Sequence, residues 1–304
     1  MKDVLLDPVL DVYSVYAIYG AMALYTVAFL TFVWQLSRLS SANKKLRKTA
    51  GQLEVAALSI TVLAFLLHGA GVVMRGIAAS RVPWANMYEF SISGSLVIVG
   101  IFLSAWFVKE IRVIAVLVTA FALLILGSAT TLFYVQVKTL MPALQSYWLV
   151  IHVTVAVLAT AFFNIAAALS VAYLLRSWGW LNQSNLSIAK LTKRVLSVFP
   201  ESKKLENLSY RFNVIGFMLW SFTLVAGAIW AERAWHRFWG WDTKEVWTFI
   251  IWTIYAGYLH ATATRGWTGA RAIWLSLIGF AAVIFNFTIV NLFFKGLHVY
   301  SGLK

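Results

Sequence analysis

Between Trp230 and Trp247 the chain reads WAERAWHRFWGWDTKEVW, with indoles at Trp230, Trp235, Trp239, Trp241 and Trp247 and carboxylates at Asp242 and Glu245. An indole offers a broad apolar face and one N–H donor. A group of them suits a membrane–water boundary, or the walls of a slot for a flat apolar ligand. The chain has five imidazoles, His68, His152, His236, His260 and His298, and no cysteine. Imidazole is a common ligand of iron and zinc. The lack of thiols excludes disulfides, thiolate metal sites and thioether attachment of a haem to this chain. No Ser-His-Asp, phosphate-loop, dinucleotide-binding or zinc-hydrolase signature appears, so no activated nucleophile is supplied.

The elements that must carry these groups are membrane helices. Of 304 residues, 61% are hydrophobic and 12% charged, where a soluble domain carries about a quarter charged residues. The apolar runs approach 20 residues, the length of a spanning helix rather than of a barrel strand. The expected fold is all-α, a polytopic protein of about eight spans near 13–36, 53–75, 90–108, 112–133, 147–175, 212–231, 245–263 and 271–294. The start, MKDVLLDPVLDVYS, lacks the features of a cleaved leader, so the first run is expected to stay as a helix. The whole chain, 1–304, reads as one transmembrane domain.

Sixteen of the 25 Lys and Arg lie in the connections 37–52, 109–112, 176–211 and 264–271. The positive-inside rule puts that set in the cytoplasm, and both termini and the Trp-rich loop 230–247 outside. The net charge of +14 is therefore topology, not a nucleic-acid footprint. Within 176–211, Ile188, Leu191, Val195 and Phe199 share one helical face and Lys190, Lys193 and Arg194 the other. This is the pattern of an amphipathic helix on an anionic leaflet, or of a solvated helix with a core-facing stripe.

Depth sorts the histidines. His152 opens the fifth span and His298 follows the eighth, both at the level of the Trp-rich loop. Two imidazoles beside an aromatic shelf can hold a haem iron from both faces; alternatively each meets headgroups. His260 lies deep in the seventh span and His68 in the outer half of the second, separated in depth by on the order of 15 Å. One iron cannot take both, so an opposing ligand for His260 would come from another chain. His68 reads either as a cofactor ligand or as a buried polar packing residue, and His236 either as a ligand or as an exposed loop residue. Arg75 and Arg81 could pair with haem propionates or snorkel at the membrane edge. Asp242 and Glu245 could orient an indole N–H or a loop amide, or cap the seventh span. Asn286 and Asn291 could hydrogen-bond between helices.

The Trp-rich stretch resembles the "WWD" signature of haem-handling proteins, in the form of the CcsA/ResC family of system II cytochrome c biogenesis. PWANMYEF (83–90), PALQSYWLVIHV around His152, YLHATATRGW around His260 and GLHVYSG around His298 resemble that family's other segments, in order. His236 departs from it, standing where the family has a small residue. The resemblance implies haem b as cofactor, held by His152, His298 and His260 as iron ligands, with Trp235, Trp239, Trp241, Asp242 and Trp247 around it and His68 as a further candidate. It implies delivery of haem to an external site for thioether attachment to the Cys-x-x-Cys-His motif of apocytochrome c. The implied partners are a separate ResB/CcsB-type membrane protein, a thioredoxin-like thiol reductant and the lipid bilayer, with no nucleic acid. The implied home is a bacterial plasma membrane before a thylakoid. Any enzyme activity, as part of a haem lyase (synthase) complex, rests on the resemblance. The alternatives are a b-type haem electron carrier, which the His68/His260 mismatch disfavours, a system I-like protein that hands haem to a chaperone, and a transporter of another substrate.

Overall fold

A computed structural model describes residues 6–140, 144–177, 194–294, 296 and 297. Eight long helices account for most of them: α1 (Pro8–Leu39), α2 (Lys44–Ala78), α3 (Met87–Ser104), α4 (Ala115–Leu132, entered through a 3-10 turn at Lys109–Ile114), α5 (Tyr147–Ser177), α6 (Ser202–Trp235), α7 (Thr243–Thr264) and α8 (Ala270–Phe285). A π-helical segment, Asn286–Val290, and a last turn, Asn291–Phe293, extend α8. The protein is a multi-pass, all-helical membrane protein. Seven of these stretches are long and apolar enough to cross a membrane. The remaining one, α7, carries Lys244, Glu245, His260 and several Thr, Trp and Tyr residues, which lower its mean hydropathy. Its 22 residues still reach ~33 Å.

The helices start where short polar side chains satisfy their first amides. Asp7 accepts from Val9 and Leu10 ahead of Pro8, Asn43 from Lys45, and Asn86 from Glu89. Several helices overrun the expected spans: α1 and α2 by several residues at each end, and α6 by ten at its start. Hydropathy marks the part of a helix that lies in hydrocarbon, and the backbone ladder continues through the headgroup layer. The first turns of α6 thus lie inside the expected connection 176–211. Most of the amphipathic helix expected there lies outside the described residues. Leu196 is described, and packs with Leu175 and Phe199.

Neighbouring helices run in opposite directions, so the starts of α1, α3, α5 and α7 meet the ends of α2, α4, α6 and α8. One apolar core joins α1 to α5. A second joins α5, α6, α7 and α8 around Phe163 and Tyr255, whose rings stack 3.8 Å apart. Gly216 of α6 permits this approach, because a Cβ there would lie 2.7 Å from the Phe163 ring.

A buried charge cluster ties the first half of the bundle together, and it corrects the expectations for two arginines. Arg75 is fully buried. It pairs with Asp11 of α1 and Glu89 of α3 and donates to the Val135 carbonyl at 2.9 Å. Arg81 pairs with the same Glu89. Neither arginine snorkels: Arg75 spends its donors inside the protein, and the two terminal nitrogens of Arg81 go to Glu89 and the Val82 carbonyl, which leaves its Nε without a partner among the described residues. Two cations meet two anions, so the cluster is formally neutral, which is what lets it lie out of water. Glu89 also accepts from the Ala85 amide at 2.8 Å. The Pro-x-x-Asn-x-Tyr-Glu sequence is therefore a helix start bolted to α1 and α2. It fixes where Trp84, Met87 and Phe90 stand.

Candidate functional site

The Trp-rich stretch is not one loop. Trp230 and Trp235 belong to the last turns of α6, Trp247 to the second turn of α7, and only residues 236–242 connect them. Nothing between 230 and 235 breaks a helix, so α6 continues until His236, which adopts φ 55° and closes it in the left-handed conformation. That conformation favours glycine. Asp242 caps α7 in a capping box with Glu245. Glu245 Oε2 accepts from the amides of Gly240 (2.8 Å) and Asp242 (3.1 Å). Both carboxylates therefore shape backbone, the capping role expected for them. Asp242 does more: its Oδ2 accepts the Leu297 amide at 2.7 Å, which brings the chain after α8 to the connection.

Below this connection an apolar cavity opens among the starts of α3, α5 and α7 and the ends of α6 and α8, with His152 in its wall. His152 is in the second turn of α5. Its Nδ1 donates to the Thr223 carbonyl at 3.0 Å, which fixes the tautomer and leaves the lone pair on Nε2. Second-shell carbonyls orient metal-ligating histidines in this way. The ring lies nearly parallel to Trp230, with centroids 5.8 Å apart and planes 16° from parallel. Gly227, one turn of α6 from Thr223, permits the approach, since a Cβ there would stand 2.8 Å from His152 Cε1. The donor set fits one axial position of a haem iron, and the apolar walls and Trp239 fit a porphyrin face. His298, the expected opposite ligand, lies outside the described residues.

The other expected site residues divide. Trp235 packs edge-on against Trp230 at 4.8 Å. Trp239 is in the cavity wall and meets Trp241 edge-on at 5.9 Å. Trp241 is 79% exposed and faces away from the cavity. Trp247 turns to α8, 4.3 Å from Phe285. His68 is fully buried in α2. Its Nε2 donates to the Ile92 carbonyl at 2.9 Å and its Nδ1 lies 3.4 Å from the Tyr25 hydroxyl. Both nitrogens are engaged within the bundle, away from the cavity. His260 is exposed on the outer face of α7. Along their helices His68 stands ~15 Å and His260 ~25 Å from the Trp-rich end. The depth mismatch is nearer 10 Å than 15 Å, and the two rings do not face one another, since His68 is held between α1 and α3 while His260 is exposed on α7.

The sequence reading missed the polar corner of the cavity. Lys244 Nζ reaches across to the π-helical segment, donating to the Asn286 carbonyl (2.7 Å) and to Asn291 Oδ1 (3.0 Å). Asn291 thus forms the expected interhelical bond, whereas Asn286 contributes backbone. A lysine after an N-cap looks like surface charge, and a π segment leaves no sequence signal.

The sequence profile described as "Cytochrome C assembly protein" matches residues 84–298. The chain is 35% identical over 250 residues to the cytochrome c biogenesis protein CcsA of Prochlorococcus marinus, covering 75% of this chain and 78% of that one. It is 30% identical to CcsA of Trieres chinensis, covering 93% and 94%. Among solved structures, the cytochrome c haem lyase CcmF superposes with a TM-score of 0.63 at 16% identity, over 91% of this chain and 46% of that one. This last likeness is one of fold.

Proposed function

Because the chain belongs to the cytochrome c assembly family, and within it to the CcsA proteins of cytochrome c biogenesis, we propose that it delivers haem to the Trp-rich end of the bundle and presents it there for attachment to apocytochrome c. Haem is the substrate, and its vinyl groups are the atoms to which the thiols of a Cys-x-x-Cys-His motif add. This chain's residues bind and orient it. His152 Nε2 supplies one axial bond, His298 the other, and Trp239 with the apolar wall grips the macrocycle. The orientation of His152, fixed by Thr223 and Trp230 at the mouth of an apolar cavity, is the observation that carries this reading.

His260 is the ligand for haem in transit within the membrane. Its place on the outer face of α7 supports a site shared with a ResB/CcsB-type partner that brings the opposing ligand. A thioredoxin-like reductant keeps the apocytochrome thiols available. With the basic connections in the cytoplasm, the Trp-rich end faces outward from a bacterial plasma membrane. Absorption spectra of the protein purified with its partner test the assignment. His152→Gly should lose the external haem signal and cytochrome c yield, and added imidazole should restore part of both. Full cytochrome c assembly by His152→Gly without imidazole would exclude His152 as a ligand.

A further inference from the structure

We infer that Lys244 holds a carboxylate of the cavity's ligand; this rests on the haem reading above, in which that carboxylate is a propionate. The ammonium of Lys244 lies at the cavity wall and has three protons to place. Two go to neutral acceptors, the Asn286 carbonyl and Asn291 Oδ1. Among the described residues no Asp or Glu comes within 4.0 Å of Nζ. The two nearest acids in sequence spend oxygens on backbone: Asp242 on the amides of Lys244 and Leu297, with its charge felt at Lys244 from beyond ion-pair distance, and Glu245 Oε2 on the amides of Gly240 and Asp242. Lys244 is partly withdrawn from water and has only neutral hydrogen-bond partners, an arrangement that an anion in the cavity would stabilise.

The same corner holds two acceptors that set where water must sit. Asn286 Oδ1 and Glu245 Oε1 are buried, line the cavity and have no partner among the described residues. Asn286 is 5% and Glu245 9% exposed. A carboxylate brings no proton to these acceptors, so water that donates to them and to the ligand's carboxylate must lie between. Elsewhere the wall is mainly apolar, with His152, Asn86 and three threonines as the polar exceptions. The cavity therefore suits an amphiphile with a broad apolar body and an anionic end, the chemistry of a porphyrin dicarboxylate. The π-helical segment builds the corner, because its irregular ladder presents the Asn286 carbonyl to Lys244; such segments recur at functional sites.

The test uses iron-free protoporphyrin IX and its dimethyl ester, so that histidine ligation plays no part. Binding to the full chain in lipid nanodiscs is followed by quenching of tryptophan fluorescence. The native protein should bind the free acid more tightly than the ester, by on the order of tenfold beyond the difference in empty nanodiscs. Lys244→Met should bring the two within about twofold, and Lys244→Arg should keep most of the preference. An unchanged preference in Lys244→Met would show that the lysine only staples the π segment. Equal binding of both porphyrins by the native protein, which needs no variant, would overturn the inference and leave the haem reading standing. If the native protein binds neither, the haem reading fails and this one with it.

Discussion

The Thr223 carbonyl stands 3.0 Å from Nδ1 of His152, and one turn further along α6 Gly227 leaves the space that the imidazole occupies. Helix α6 thus both supports and makes room for the ring. The close approach predicts that Gly227→Ala displaces His152, at a cost of about 1–3 kcal/mol if the ring is forced off its rotamer. Haem co-purifying with the variant should fall severalfold while its helix content stays native. Native haem content in Gly227→Ala would show that the ring has room to move and that its position is not set by α6.

His68 and His152 should respond differently to loss of the imidazole. His68→Gln is expected to lower stability by about 1–3 kcal/mol, since it disturbs the bonds to Ile92 and Tyr25 in a dry interior. Imidazole should not repair it. Unfolding in mixed detergent, with and without imidazole, reads this out. Rescue of His68→Gln by imidazole would return that residue to the ligand set.

The neutral cluster around Arg75 predicts an asymmetry. Arg75→Ala leaves Asp11 and half of the charge on Glu89 buried without compensation, which costs about 3–5 kcal/mol. Combining it with Asp11→Asn should recover part of the loss. Thermal melts of the two variants check this. A double variant less stable than the single one would contradict the pairing.

Asp242 is a cap first. Asp242→Ala should destabilise the start of α7 by about 0.5–2 kcal/mol and release the Leu297 amide. Hydrogen exchange should rise at Lys244, Glu245 and Leu297 and stay unchanged in α1 to α4. Protection that persists at Lys244 would mean another group caps the helix.

The spans were legible because a hydrocarbon layer demands about 20 apolar residues and little else. The buried arginines were not. Hydropathy places Arg75 at a membrane edge, and nothing local reveals that Asp11, 64 residues away in sequence, completes its pairing. The Trp-rich stretch was read as a loop because indoles favour interfaces. Indoles also fit helices, and the chain turns only where His236 and Trp241 take positive φ. His152 was legible from its depth and from family resemblance. Its support by a backbone carbonyl and a glycine depends on how two helices cross, which one sequence does not encode locally. The Lys244 corner depends on a single irregular turn.

That turn, Asn286–Val290, amounts to one extra residue wound into α8. Each helical residue advances by about 100°, so the insertion shifts the angular phase of everything beyond it. Without it, Asn291 would point a quarter-turn or more away from Lys244, and the backbone leading to Leu297 would leave the membrane on a different heading. A one-residue deletion there would spare the hydrophobic length of the helix yet disconnect its tail from the connection it now closes against.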